Sequence, residues 1–168
     1  MKVFAITFLA LVLAASASSQ TSLKVGTTAP AFTGTSLDGT SFDLSEMRGS
    51  VVVMTFWSTK CEICHVEFPK LNRVIKSFDG KKVVFLSFTM ENDAQVEAFL
   101  RTNHLDTQVL PNSFGTLLQY ADRDKNGNLD MGFPSYFVIN DAGLVEYRSS
   151  GYDKTESLNS TLSRLLNK

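Results

Sequence analysis

The hydrophobic positions fall into two kinds of run. Val51 to Trp57 and Val83 to Phe88 are short, nearly continuous and rich in β-branched and aromatic residues, the pattern of strands buried on both faces. After Cys61, apolar residues recur at helical spacing, at Ile63, Leu71, Val74, Ile75 and Phe78, until Asp79 and Gly80 end the run. Pro69 falls inside that helix and should bend it, because it removes a hydrogen bond and crowds the preceding turn. A second helix is expected from Asn92 to Asn103, with Asn92 and Gln95 forming a capping box and Val96, Phe99 and Leu100 turned to the core. Gln108 to Leu110 reads as a short strand and Ser113 to Tyr120 as a helix. A strand from Tyr136 to Ile139 turns at Asn140 to Gly143 and returns antiparallel from Leu144 to Ser149. Asp153 and Glu156 then stand where they would cap a last helix ending at Leu166. Upstream, Asp38-Gly39 between alternating segments predicts a hairpin within Ala31 to Leu44, followed by one helical turn, Leu44 to Arg48, that Gly49 stops.

Strands alternating with helices and closing on a hairpin define an α/β class, helices packed on a mixed central sheet, with an N-terminal β-hairpin extension. Met1-Lys2, an apolar run to Ala15 and the small residues Ala15-Ser16-Ala17 read as a secretory leader over residues 1–17. Residues 18–24 are polar and expected to be flexible, and residues 25–168 form one domain. The formal net charge of −1 gives no basic surface for nucleic acid or an anionic membrane. Export would place the protein in the periplasm or outside the cell, where paired structural cysteines are common. Here the chain has two cysteines in all, three residues apart.

Those two, Cys61 and Cys64, stand where the strand passes through Ser58, Thr59 and Lys60 into the helix. Residues three apart on a first helical turn lie about 5–6 Å apart on one face, within the reach of a disulfide. The free N–H groups and positive dipole end of the helix favour a thiolate on Cys61, making it the attacking sulfur, with Cys64 to resolve the mixed disulfide. A bridge enclosing two residues adds little by loop closure, which disfavours a purely structural role. Two rival readings share the residues. Cys61, Cys64 and His65 match the c-type haem attachment pattern, with His65 as axial ligand, although the strand directly before them opposes it. The same three also suit copper(I) in a non-enzymatic metal carrier.

Phe56-Trp57-Ser58, Cys61-Glu62, Cys64 and Glu67-Phe68-Pro69 together resemble the active-site signature of the TlpA/ResA-like thiol–disulfide oxidoreductases, an extracytoplasmic branch of the thioredoxin superfamily. The likeness continues upstream through Val25-Gly26, Ala29-Pro30, Phe32, Leu37-Asp38-Gly39 and Arg48-Gly49, a half similar to AhpC/TSA and Redoxin proteins, and downstream from Gly132 to Ile139. It implies a thioredoxin-like fold and a monomer that reduces disulfides in protein substrates. The redox-active cysteines would be its sole redox group, without a further cofactor, and a membrane-bound donor would recharge them. Part of the family serves cytochrome c maturation. Glu67 falls at the position that manages protons during exchange, and Pro134 matches the cis-proline that lies against the dithiol. Trp57 and Phe133 would contact substrate, the Phe133 backbone by pairing with an extended segment. Lys60 and Glu62 would tune the dithiol with opposite sign. Thr55 departs from the family's buried acid or Asn, Lys60 from its Trp, and Phe133 is bulkier than the usual small residue. A peroxiredoxin is the other enzyme reading, since Ser58 and Cys61 mimic part of a peroxide site, but Met54 stands where its proline would be.

Asp122, Asp124, Asn126, Gly127, Asn128, Leu129 and Asp130 match the first nine positions of a calcium-binding EF-hand loop. Position twelve is Phe133 instead of a bidentate Glu, and no helix is expected after it. A polar turn is the primary expectation and a partial calcium site the alternative. His104, just past a helix end, is expected to have no catalytic role.

Overall fold

A computed structural model describes residues 23–167; the expected leader and residues 18–22 lie outside the described residues. The chain opens with a hairpin, β1 (Thr33–Thr35) and β2 (Ser41–Asp43), whose turn is set by Gly39 at φ 85° and by the Asp38 carboxylate, which accepts from the Ser36 hydroxyl and the Thr40 N–H. A 3-10 turn, Leu44–Met47, leads to β3 (Val51–Phe56). Then follow α1 (Glu62–Ser77), β4 (Val83–Phe88), α2 (Asp93–Leu100), β5 (Gln108–Leu110) and α3 (Phe114–Tyr120). A two-residue ribbon, β6 (Asp122–Arg123) with β7 (Leu129–Asp130), precedes β8 (Ser135–Ile139), β9 (Val145–Ser150) and α4 (Thr155–Leu166).

The central sheet has the order β5-β4-β3-β8-β9, with β3, β4 and β5 parallel and β8 and β9 antiparallel. Every residue of β3 is buried, as the continuous apolar run requires for a central strand covered on both faces. Side chains alternate across it. Val51, Val53 and Trp57 join Cys64, Phe68 and Leu71 of α1 and Leu158 and Leu162 of α4. Val52, Met54 and Phe56 join Phe32, Leu44 and the α3 residues Leu117 and Tyr120. Each edge strand of the sheet is engaged by the N-terminal segment. The hairpin donates the Leu37 N–H to the Val109 carbonyl of β5, while Gly26 and Ala29 donate to the carbonyls of Val145 and Gly143 beside β9. Gly34 permits the hairpin's approach, because a Cβ there would lie 2.7 Å from Leu110 Cδ2. Leu23 and Lys24, expected to be flexible, are held by bonds from Arg148 to the Leu23 carbonyl and from Thr27 to that of Lys24.

Two helix ends differ from expectation. Helix α2 stops at Leu100, short of Asn103, because the Phe99 carbonyl is captured by the Thr102 N–H and the Asn103 side-chain amide. Its capping box between Asn92 and Gln95 forms as read. Asp153 does not cap α4: the N-cap is Lys154, without a side-chain bond, and Asp153 takes φ 60° with its carboxylate turned to Lys70 of α1.

Candidate active site

The parallel strands β3 and β4 end at the same level, and α1 begins there. Leaving β3, the Trp57 N–H bonds the Phe88 carbonyl, and a turn closed by Cys61 N–H on the Ser58 carbonyl delivers Cys61 to the N-cap of α1. The Cys64 N–H points at Cys61 Sγ, 3.1 Å away. The sulfur thus occupies the place of a capping oxygen, where a thiolate would receive a charge-assisted bond. Cys61 and Cys64 form a disulfide with Cα atoms 5.2 Å apart. Cys61 is half-buried and Cys64 fully buried, so an incoming partner meets the Cys61 side of the bridge. Lys60 and Glu62 flank Cys61 on the exposed surface.

Strand β8 brings the second wall. Phe56 pairs with Ser135, so Phe133 and Pro134 arrive at the end of the sheet where Trp57 leaves β3. The Phe133–Pro134 bond is cis, as the resemblance implies. Phe133 is half-buried and packs on both core layers. Trp57 is a correction. Expected to touch substrate, it has no exposed surface and lies in the core, with the Phe68 and Phe99 rings at 5.2 and 5.3 Å. It is the floor beneath the site, packed there because β3 turns it to the same face as Val53.

Glu67 lies one turn beyond Cys64 and is completely buried. Its Oε1 accepts from Lys70 Nζ at 2.9 Å, while Oε2 is buried with no hydrogen-bond partner among the described residues. Across the layer, the Thr55 hydroxyl of β3 is likewise buried and unpartnered. Burial, and secondarily the Glu67 charge, push the Tyr136 phenol of β8 far above the usual tyrosine range. Glu67 therefore sits against the sheet behind the dithiol, where burial without a counter-charge would be costly. Lys70 supplies that charge. Its Nζ also lies 2.9 Å from Asp153 Oδ1 and 4.3 Å above the Tyr152 ring, and bonds to Glu67 and then Asp153 push the ammonium's titration upward.

Sequence reasoning missed Glu91, just past the end of β4. Its Oε1 accepts from the Ser58 hydroxyl at 2.6 Å, the Thr59 N–H at 3.1 Å and the Thr59 hydroxyl at 3.2 Å, and its Oε2 from Thr89. One carboxylate thus ties down the segment before Cys61. His65 holds that segment from the other side. It is half-buried, with its ring 4.8 Å from that of Phe99 and Nε2 3.2 Å from the Thr59 carbonyl. Because a carbonyl only accepts, Nε2 carries the hydrogen of this bond.

Burial pulls the Glu91 carboxyl up, but bonds from Ser58, Thr89 and Thr59 outweigh it and hold the group below its usual 4.5. A lowered folded-state value contributes stability above the unfolded range and loses it as pH falls through the folded value. Glu91→Gln is therefore expected to flatten the acid limb of the melting temperature against pH. Glu91→Ala is expected to slow reduction of a model protein disulfide by about 10- to 100-fold, through misplacement of Cys61. An unchanged rate in a folded Ala variant would show that the segment positions itself.

The calcium-like loop is the turn between β6 and β7. Asp124 accepts from the N–H groups of Asn126 and Asn128 and from the Asn128 side-chain amide, and Gly127 takes φ 82°. Those bonds, the Asn128 side chain's foremost, hold its carboxyl below the usual range. Asp122 pairs with Arg148 and stands opposite Asp130 in the ribbon. Among the described residues, no three or more His, Cys, Asp or Glu are grouped to hold a metal ion. His104 pairs with Asp106, away from the dithiol's helix start.

A cysteine pair at the N-terminus of a helix fed by a central parallel strand, with a cis-proline leading into the neighbouring strand, defines a thioredoxin-fold protein of the thiol–disulfide oxidoreductase class. The chain belongs to the Redoxin family, whose model matches residues 24–166 and so takes in the N-terminal hairpin. It is 28% identical over 127 residues to the thioredoxin-like protein YneN of Bacillus subtilis, covering 74% of this chain and 70% of that protein. With the thiol-disulfide oxidoreductase ResA of Bacillus cereus it shares 26% identity over 149 residues, covering 88% and 82%. A solved thiol:disulfide interchange protein from Bacteroides sp. superposes with a TM-score of 0.71 at 21% identity, over 88% of this chain and 93% of that one. One from Chlorobium tepidum superposes with a TM-score of 0.70 at 21% identity, over 86% and 99%. Both superpositions show the thioredoxin-like fold.

Proposed function

We propose that this protein is an exported reductant of protein disulfides. The observation that carries the reading is the asymmetry of the pair: an accessible Cys61 sulfur at the helix start, and a Cys64 sulfur buried one turn from a buried carboxylate. The reduced Cys61 thiolate attacks one sulfur of a substrate disulfide, forming a mixed disulfide and expelling the other substrate sulfur as thiolate. Cys64 gives its proton to Glu67 and attacks Cys61 Sγ, which closes the bridge present in this structure and frees the second substrate thiol. Two electrons pass from dithiol to substrate, so a separate donor, membrane-bound in our reading, must return them. The Phe133 backbone, at the end of the sheet where β3 hands over to α1, offers an extended segment of substrate a partner for pairing. The pattern of residues 1–17 supports export, and the chain acts as a monomer without a further cofactor.

The equilibrium potential of the Cys61/Cys64 couple tests the direction. A value near or below about −270 mV is expected for a reductant. A value near about −120 mV would make the protein a dithiol oxidase and overturn it.

A further inference from the structure

Glu67 is a charge set where charge is expensive, and the residues around it form a line out to solvent. Oε1 is held by Lys70 and Oε2 is buried and unpartnered. The Lys70 side chain, 25% exposed, bonds in turn to Asp153, whose side chain is 67% exposed, and lies against the Tyr152 ring. The Tyr136 phenol of β8 feels the Glu67 charge, Cys64 lies one turn away on its own helix, and Thr55 of β3 and Trp57 carry a buried hydroxyl and indole N–H without partners among the described residues; the cation bonded to Glu67 is Lys70. Lys70 and Asp153 are 83 residues apart, so the line exists only because the turn before α4 packs on α1.

We propose that Lys70 is a positioning residue for the exchange reaction, holding Glu67 as a carboxylate with Oε1 engaged and Oε2 open to the Cys64 proton, and that Asp153 and Tyr152 hold Lys70 in turn. The inference rests on the reading of Glu67 given above. In the step it serves, the S–H bond of Cys64 breaks and its proton moves to Glu67. The Cys64 sulfur's electron pair then forms the Cys61–Cys64 bond, while the bond from Cys61 to substrate breaks and its pair leaves on the substrate thiolate. The proton on Glu67 returns to that thiolate or to water. Without the ammonium, a fully buried carboxylate has lost its counter-charge and takes up a proton in advance, leaving it unable to accept one.

The test uses the purified protein and its Lys70→Met, Lys70→Arg, Asp153→Asn and Glu67→Gln variants, checked for folding by melting curves. Two readouts are followed against pH: the infrared carboxylic-acid band, and the rate at which Cys64 resolves a preformed mixed disulfide on Cys61. Lys70→Met is expected to show, at neutral pH, an acid band that disappears when Glu67→Gln is added. Its resolution step should slow roughly 10-fold or more, with the pH profile displaced upward. Lys70→Arg should restore both readouts, and Asp153→Asn should move them part of the way. A Lys70→Met protein with no added acid band and an unmoved profile overturns the proposal. Should that variant not fold, Asp153→Asn decides alone, and an unmoved profile there overturns it equally. If Glu67→Gln itself leaves resolution unchanged, the mechanism's use of Glu67 fails, while the infrared band still judges whether Lys70 sets its charge.

Discussion

Cys64→Ser is expected to stop exchange at its midpoint, leaving substrate bound to Cys61, whereas Cys61→Ser is expected to abolish reaction altogether. The difference follows from where the sulfurs lie. Cys61 is half-buried at the N-cap, with the Cys64 N–H 3.1 Å from its sulfur, a place that stabilises the attacking thiolate and leaves it within reach of a substrate. Cys64 is completely buried and can attack only a sulfur already attached to Cys61. Turnover in either variant should fall by several orders of magnitude, toward the rate of ordinary thiols in the buffer. The signature separating them is a covalent adduct, visible by non-reducing electrophoresis and mass spectrometry, with Cys64→Ser and absent with Cys61→Ser. Adducts on Cys64 in the Cys61→Ser protein would reverse the assignment of roles.

Trp57→Ala should cost about 3–5 kcal/mol of stability, the range for deleting a buried aromatic side chain from a core. Trp57 has no exposed surface and is enclosed by Phe68 and Phe99. That loss is a large share of the roughly 5–15 kcal/mol typical of a native domain, and for a chain of this size should lower the melting temperature by roughly 10–15 °C. Calorimetry or thermal circular dichroism reads it directly. Because the ring has no exposed surface, the fraction that remains folded should keep a nearly normal KM. A stable Trp57→Ala protein with a raised KM would restore Trp57 to the substrate-binding surface.

Much of the site was legible because its parts are local. The strand that ends at Phe56, the helix start at Cys61, the spacing that lets two cysteines close a bridge, the Asp38-Gly39 turn and the Asn92 capping box all depend on residues a few positions apart. Periodicity and short-range hydrogen bonding report such features. Where local signals fail, a longer-range contact wins: the spacing of Asp153 to Glu156 suits a cap, but Lys70 offers its carboxylate a charged partner.

Local pattern suffices for the α/β class, the order of the main elements, the identity and spacing of the reactive cysteines and the candidacy of Glu67 and Pro134. The packing of distant segments is what makes Trp57 a core residue, lets Glu91 anchor the segment before Cys61 from 33 residues away, and sets Lys70 and Asp153 in a charged line out from Glu67. Strand order and register bring those groups together. A charge or a hydroxyl carries no mark in the sequence of the distant partner that its burial will require.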